Sequence, residues 1–303
     1  MFTDITGVRR LKTCLHMHTT ISDGKKTPEE ALALYEEAGY DIIAITDHWK
    51  FRPAGQYGNM KVLSGCEYDV AGFETADGPY ETFHVVGLNM AHQPELDRSL
   101  QTEDLPIRGK VRKIVDAIHA AGGIAVLAHP AWSLNTPEQI LRCCPFDATE
   151  IYNSVSDWGM SDRPYSGQIV DMLATVGTSY PLLATDDVHY YNGDEMRGMI
   201  MLEADAVEAL GFNAAVKAGK FYATQAPEVH LERISREQVK VTCTPASKIA
   251  FLSNVPWAAG RMHRGSNLTE AVFSLNLERH ERFVRAEVTD ENGLCAWSNI
   301  IML

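Results

Sequence analysis

The 303-residue chain has no run approaching the roughly 20 consecutive apolar residues that a membrane-spanning helix requires, so no membrane partner is expected. Its first residues, MFTDITGVRR, lack the apolar core of a secretory signal, which makes the cytoplasm the expected compartment. Basic residues are also in short supply. With 27 Lys and Arg against 40 Asp and Glu the formal net charge is -13, and no basic stripe interrupts it, so polymeric nucleic acid is not an expected partner. A small anionic substrate stays open, because carboxylates gathered around bound cations would account for part of that excess. The six cysteines (Cys14, Cys66, Cys143, Cys144, Cys243 and Cys295) form no C-x-x-C pair, and a chain of this length needs no disulfide staples. Reduced thiols are expected, a vicinal Cys143–Cys144 bridge being strained. There is no G-x-S-x-G, no catalytic Cys/His arrangement and no Walker-type glycine loop, which sets aside the common side-chain nucleophiles and nucleotide cradles. Internal repeats and low-complexity linkers are missing too.

What the chain does have is an alternation of buried strands and amphipathic helices. LKTCLHMH, DIIAITDH, KVLSGCEY, ETFHVVGL, GIAVLAHP, ATEIYN and PLLATDDVH read as seven strands bounded by polar or turn-forming residues. Thr27-Pro28-Glu29-Glu30 supplies an N-cap, a proline at the first helical position and a capping-box glutamate, and Gly39 supplies the stop. Thr136-Pro137-Glu138 opens another helix in the same way, and GKVRKIVDAIHAAGG carries helical apolar spacing through Val111, Ile114, Val115 and Ile118. Strands alternating with helices imply an α/β fold with a mostly parallel sheet, closed or doubly wound. The stretch 68–82 is too short and too rich in glycine for a crossover helix, so irregularity is expected there. After about Gln225 the pattern changes to EVHLERI, QVKVTCT, KIAFLSN, AVFSLNL and FVRAEVTDENGLCAWSN, with Asn292-Gly293 as a hairpin signal. This predicts two domains, residues 1–225 and a small all-β, sandwich-like unit over 226–303.

Residues able to bind metal recur at the C-terminal ends of the predicted strands. His16 and His18 end the first, Asp47 and His48 the second, Glu67 the third, His129 the fifth, and Asp187 with His189 the seventh, while His84 lies within the fourth. In a β/α barrel those ends converge on one face, where such barrels carry their active sites. Residues i and i+2 of a strand point the same way, so His16 and His18 can grip one ion, as can Asp187 and His189. Six of the eleven histidines fall in this pattern, whereas His92, His119, His230, His263 and His280 do not.

The ordered set HMHTTISDG, ITDH, GCE, HVVGL, LAHP and TDDVH resembles the motifs of the PHP (polymerase and histidinol phosphatase) family of metal-dependent hydrolases, over roughly residues 13 to 225. VRAEVTDENGLCAWSN resembles the β-domain appended in a carbaryl-hydrolase-like subgroup. The resemblance implies a distorted (β/α)7 barrel with two to three divalent ions. It assigns His16, His18, Glu67 and Asp187 to one ion, Asp23, His48 and His189 to a second, and Glu67, His84 and His129 to a third, with Glu67 as the bridge and Asp47 in support. Asp23 departs from the pattern, since some members have histidine there.

Such ions lower the pKa of a bridging water, orient the resulting hydroxide and neutralise a phosphoryl group, so a phosphoesterase acting on a small phosphorylated metabolite, a sugar or nucleotide monoester or a cyclic diester, needs no side-chain nucleophile. Glu67, Asp187 and His189 are the residues expected nearest the chemistry, with His189 or an adjacent carboxylate protonating the leaving group. Substrate phosphate should meet a cationic side chain, for which Arg163, Arg197, Lys50 and Arg52 are the candidates, and Asn153 is a further candidate substrate contact. An imidazole and carboxylate set suits manganese, iron or zinc without choosing among them. Two other readings compete: a hydrolase of carboxylic or carbamate esters, and a noncatalytic binding module, against which the complete ligand set argues. The oligomeric state is not legible.

Overall fold

The computed structural model describes residues 1–143 and 145–303. Strands β1 (Phe2–Thr3) and β2 (Arg9–Cys14) lead to helix α1 (Pro28–Glu37) and β3 (Ile42–Ala44). Next come β4 (Gly55–Tyr57), β5 (Met60–Leu63), β6 (Gly65–Phe73) and β7 (Tyr80–Leu88), with no α-helix between them. The chain then alternates: α2 (Ile107–Ala120), β8 (Ile124–Leu127), α3 (Pro137–Cys143), β9 (Ala148–Asn153), α4 (Gly167–Thr175) and β10 (Leu182–Thr185). After β11 (Met199–Glu203), α5 (Ala204–Leu210), α6 (Phe212–Lys217) and β12 (Phe221–Thr224), the rest is strand: β13 (Val229–Arg233), β14 (Gln238–Leu252), β15 (Met262–Ser274), β16 (Phe283–Thr289), β17 (Cys295–Trp297) and β18 (Ile301–Met302). Among the described residues no helix is long and apolar enough to cross a membrane. The five described cysteines are free thiols, and the expectation about Cys144 lies outside the described residues.

Local signals act where the sequence places them. Thr27 and Glu30 close a reciprocal capping box at the start of α1, whose buried face is Ala31, Leu32 and Tyr35. Helix α2 buries Ile107, Val111, Ile114, Val115 and Ile118, against a cluster that includes Val70, Phe83, Val85 and Leu127 of β6, β7 and β8.

The sheet topology is mixed. One sheet runs β13-β14-β16-β17-β12-β11-β2-β3-β5-β4 and the other β10-β9-β8-β7-β6. The chain crosses between them at Ser64, the single residue separating β5 from β6. The pairs β2/β3, β3/β5, β8/β9 and β9/β10 are parallel, whereas β6/β7 and β7/β8 are antiparallel. The antiparallel hairpin follows because only residues 74–79 connect β6 to β7, whereas a parallel crossover needs a dozen or more connecting residues. The seven-stranded barrel predicted above is corrected in one respect: no continuous ladder closes it among the described residues. The two sheets touch instead through isolated bridges, Met17 with Val188 and His48 with Glu67. Backbone bonds still join the tails that carry the inward polar residues: the His18 amide donates to the Val188 carbonyl (3.0 Å) and the Asp187 amide to the His16 carbonyl (3.0 Å). Beyond β10, buried Asp186 accepts bonds from the Tyr35 hydroxyl and from the amides of Met196, Arg197 and Gly198, which ties the following loop back to that strand end.

Past residue 225 the structure holds only strands and one short 3-10 turn, Leu277–Arg279. These strands continue the first sheet through the pairing of β12 with β17, Ala223 opposite Trp297. The turn at Asn292-Gly293 is wider than a two-residue hairpin: Leu294 and Asn292 donate their amides to the Asp290 carboxylate.

His230 on β13 lies against Asp4 and Arg10, and burial, aided by Arg10 and opposed by Asp4, lowers its pKa to about 4. An unfolded histidine titrates near pH 6.5, so between about pH 6.5 and 4 the unfolded chain takes up a proton that the folded chain refuses, and stability falls with falling pH. The variant His230→Gln is expected to flatten the acid side of the melting-temperature profile; profiles that stay parallel from pH 7 to 4.5 would contradict this.

Candidate metal centre

β2 ends at Cys14, but the chain stays extended through residues 15–18, and the two-residue period turns His16 and His18 to the same side. Their neighbours Leu15 and Met17 are buried in apolar clusters, which fixes the register. The following turn is tied down by Asp47, whose carboxylate accepts bonds from the Thr19 amide (2.7 Å), the Thr19 hydroxyl (2.7 Å) and the Ser22 hydroxyl (2.7 Å). Gly24 is required here, because a Cβ would lie 2.4 Å from the His18 carbonyl oxygen. The turn carries Asp23, half exposed, to the edge of the cluster.

Four donor atoms converge below it. His16 Nε2 lies 3.3 Å from His18 Nε2, 3.3 Å from Glu67 Oε2 and 3.1 Å from Asp187 Oδ1. His18 Nε2 lies 3.0 Å from Glu67 Oε2 and 3.1 Å from Asp187 Oδ1. These are five of the six edges joining the four atoms, and a regular tetrahedron with such edges has its centre about 2 Å from every corner, the length of a zinc–nitrogen or zinc–oxygen bond. Asp187 Oδ1 is buried and makes no hydrogen bond, so it points at that centre without a protein partner. These residues fit a divalent cation.

Four of the histidines, His16, His18, His129 and His189, have their second nitrogen held from behind. Glu150 Oε1 lies 2.7 Å from His16 Nδ1, and its other oxygen accepts from the His129 amide and the Asn153 side chain. His189 Nδ1 donates to the Asp187 carbonyl (2.6 Å), which leaves Nε2 facing Asp23 Oδ2 at 3.6 Å. His48 Nε2 lies 4.0 Å from the same oxygen, so Asp23, His48 and His189, with His18 behind them, form a second group of converging donors. A third gathers on the other Glu67 oxygen: Oε1 is 2.9 Å from His84 Nδ1 and 3.4 Å from His129 Nε2. His48 joins this group as well, its Nδ1 being 3.3 Å from Glu67 Oε2. One carboxylate thus faces five imidazoles, two through one oxygen and three through the other.

Electrostatics follow from that crowding. Burial pushes the Glu67 carboxyl up, but His16, His48 and His84 hold it well below the usual carboxylate range. Burial would lower His48, yet Glu67, Asp69 and Asp23 raise it to about 9, and Asp23 with Asp187 does the same for His189. The carboxylates therefore demand positive charge at this spot, which protons supply when no cation does.

The cavity over the cluster has a volume of about 180 Å³. Seven of the predicted ligands line it, together with Trp132, Val155, Ser156 and Met160, while His16 and His18 sit beneath. None of the expected cationic residues lines it. Arg197 is held by Asp157 (3.4 Å) and the Gly193 carbonyl, and lies over the Trp158 ring. Arg163 and Lys50 are exposed, and Arg52 sits in a backbone bridge with Gly65. Asn153 is buried behind the cluster, donating to Asp187 Oδ2 (3.1 Å) and accepting from Ser156. Sequence reasoning missed Glu150, Asp69 and Trp132. A carboxylate inside the apolar strand ATEIYN was the one available signal for Glu150. A further acidic group, Asp4, Glu228 and His230, already contains its cation: Arg10 Nε donates to Asp4 Oδ2 at 2.6 Å.

Residues 15–122 match the family model of the PHP domain. Among solved structures it is similar to a two-domain protein from Bacteroides vulgatus containing a predicted PHP-like metal-dependent phosphoesterase. The likeness covers 100% of this chain and 97% of that one at 14% identity, with a TM-score of 0.51. It is similar over 60% of its length to an amidohydrolase from Chromobacterium violaceum with bound sulfate and no metal (16% identity, 89% of that chain, TM-score 0.39). A candidate metal-dependent phosphoesterase from Bifidobacterium adolescentis aligns over 58% (14% identity, 87% of that chain, TM-score 0.38). At these identities the first likeness is one of fold. A comparison with curated proteins finds no match.

Proposed function

We propose that the protein is a metal-dependent hydrolase that cleaves a phosphate ester of a small metabolite, a monoester or a cyclic diester. The observation that carries this reading is the convergence of His16, His18, Glu67 and Asp187, with two imidazole nitrogens 3.3 Å apart and an orphaned carboxylate oxygen beside them. His16, His18, Glu67 and Asp187 would hold one divalent ion, Asp23, His48 and His189 a second, and Glu67, His84 and His129 a third. Manganese, iron and zinc all suit these donors. When bound, such ions make water nucleophilic near neutral pH and offset phosphoryl charge. The chain's own part is orientation. Glu150 fixes the ring of His16, Asn153 fixes Asp187, and Asp47 fixes the turn bearing Asp23. His189 lines the cavity, and the bond from its Nδ1 to the Asp187 carbonyl turns Nε2 toward the second group of donors.

The test is phosphate release from sugar, nucleotide and cyclic phosphates, comparing wild type with His84→Asn. Activity on some member, lost by about a hundredfold or more in the variant, supports the reading. A second reading has its own support: among the described residues no guanidinium or ammonium group lines the cavity, which suits an uncharged carboxylic or carbamate ester. Turnover of such esters by a metal-replete protein that releases no phosphate would select it.

A further inference from the structure

The cavity has a polar floor and an apolar wall. Its floor is the ligand cluster, and its remaining lining is Trp132, Val155, Ser156 and Met160. Ser156 has no hydrogen to offer, because its hydroxyl (2.7 Å) and its amide (3.1 Å) both donate to Asn153 Oδ1. The wall beyond the floor therefore presents an indole ring, an isopropyl group and a thioether, with the Ser156 oxygen, an acceptor, and the Trp132 N–H as its polar atoms.

Both large wall residues are held in place. The Trp132 ring packs edge-on against His84 (centroids 5.4 Å apart, 69°) and His129 (4.9 Å, 80°). Met160 ends the one-turn π-helix Ser156–Met160, which is fastened to the loop after β10. The Tyr190 hydroxyl lies 3.9 Å from Met160 Sδ, and Asp157 pairs with Arg197 at 3.4 Å. Gly193 makes the fastening close: its φ is 109°, and a Cβ there would come 2.8 Å from the Trp158 ring.

We propose that Trp132 and Met160 select the substrate, and that the alcohol esterified at the reacting centre is a single compact apolar ring or short alkyl group, not a polyhydroxylated sugar. The inference rests on the reading above that this cluster hydrolyses an ester. A ring seated on this wall gains aromatic contact with Trp132 and sulfur contact with Met160. A sugar brings several hydroxyls that leave water, more than the Ser156 oxygen and the Trp132 N–H can partner, and a site short of partners discriminates against such groups by roughly 10- to 100-fold. At about 180 Å³ the cavity is smaller than the 300–1,000 Å³ of sites for drug-sized ligands, which limits the alcohol to about one ring.

The experiment compares benzyl phosphate with glucose 6-phosphate on the metal-loaded full chain. Both leaving groups are primary alcohols, so intrinsic reactivity is matched. Benzyl acetate is run beside them, and metal content and melting temperature are measured for every variant. The expected result is a kcat/KM for benzyl phosphate at least about tenfold above that for the sugar phosphate. Trp132→Ala should raise KM for the benzyl ester about tenfold with a smaller change in kcat, erase most of the discrimination and keep its metal. Trp132→Phe should restore most of it, and Met160→Ala should weaken it several-fold. If Trp132→Ala sheds metal, Trp132→Phe and Met160→Ala carry the same comparison. Equal or better turnover of the sugar phosphate, or unchanged discrimination in the variants, overturns this inference and leaves the hydrolase reading standing. A metal-replete protein that hydrolyses none of the three esters overturns both.

Discussion

Replacing Glu67 with glutamine lowers the metal content by at least one ion per chain and the hydrolytic rate by about three orders of magnitude. Glu67 Oε2 faces His16, His18 and His48, and Oε1 faces His84 and His129, so this one side chain belongs to the first and third groups of donors. Glutamine keeps the shape but has one oxygen and no charge, and it turns an amide toward one of the two groups. The carboxylate is fully buried, and its replacement leaves five imidazoles without the anion that balances them. Several kcal/mol of charge stabilisation corresponds to roughly three powers of ten in rate. Elemental analysis and initial rates on the same preparation check this; wild-type metal content and rate in the variant would show that Glu67 bridges nothing.

Arg285→Met is expected to cost about 3 to 5 kcal/mol of stability, the typical penalty for stripping one partner from a buried ion pair. Arg285 on β16 is wholly buried. Its guanidinium donates to Asp171 through Nε (2.6 Å) and Nη2 (2.8 Å), to Glu287 through Nη1 (2.6 Å) and to the Tyr165 hydroxyl (3.1 Å). Asp171 lies on α4, so the pair fastens the C-terminal strands to the helical part of the chain. Methionine fills much of the volume but leaves two carboxylates facing each other. Adding Asp171→Leu to Arg285→Met should recover part of the loss, because it removes one stranded charge. Equilibrium denaturation reads both effects, and a single variant within 0.5 kcal/mol of wild type, the scatter of neutral surface changes, would contradict the account.

The site was more legible in the sequence than the fold around it, and the reason is the range over which each is decided. A histidine at a strand end, another two residues away, and a short turn with serine and aspartate are local features, and local geometry sends such side chains to one face. Sheet order depends on pairings between distant residues. Nothing near Trp297 says that Ala223 will be its neighbour, and nothing near Met17 says that it will meet Val188 by a single bridge. The β6/β7 hairpin lay in between: its short connection was readable, but its consequence, two antiparallel pairs in a sheet expected to be parallel, was not. Cationic side chains were the hardest to place. Arg197 follows β10 closely, as expected for a substrate contact, yet Asp157 and Trp158 hold it away from the cavity. Trp132 stood three residues past His129 in plain view, but an aromatic residue in a loop has no spacing pattern that separates a pocket wall from ordinary packing.

The central claim is that His16, His18, Asp23, His48, Glu67, His84, His129, Asp187 and His189 hold divalent cations. The measurement that tests it most directly is metal content per chain by elemental analysis of gently purified protein, repeated after chelation and after reloading with manganese, iron or zinc. Two to three ions per chain, lost on chelation together with activity and regained on reloading, is the predicted result. A chain that stays near zero metal in all three metals would contradict it and return the fold to the role of a noncatalytic binding module.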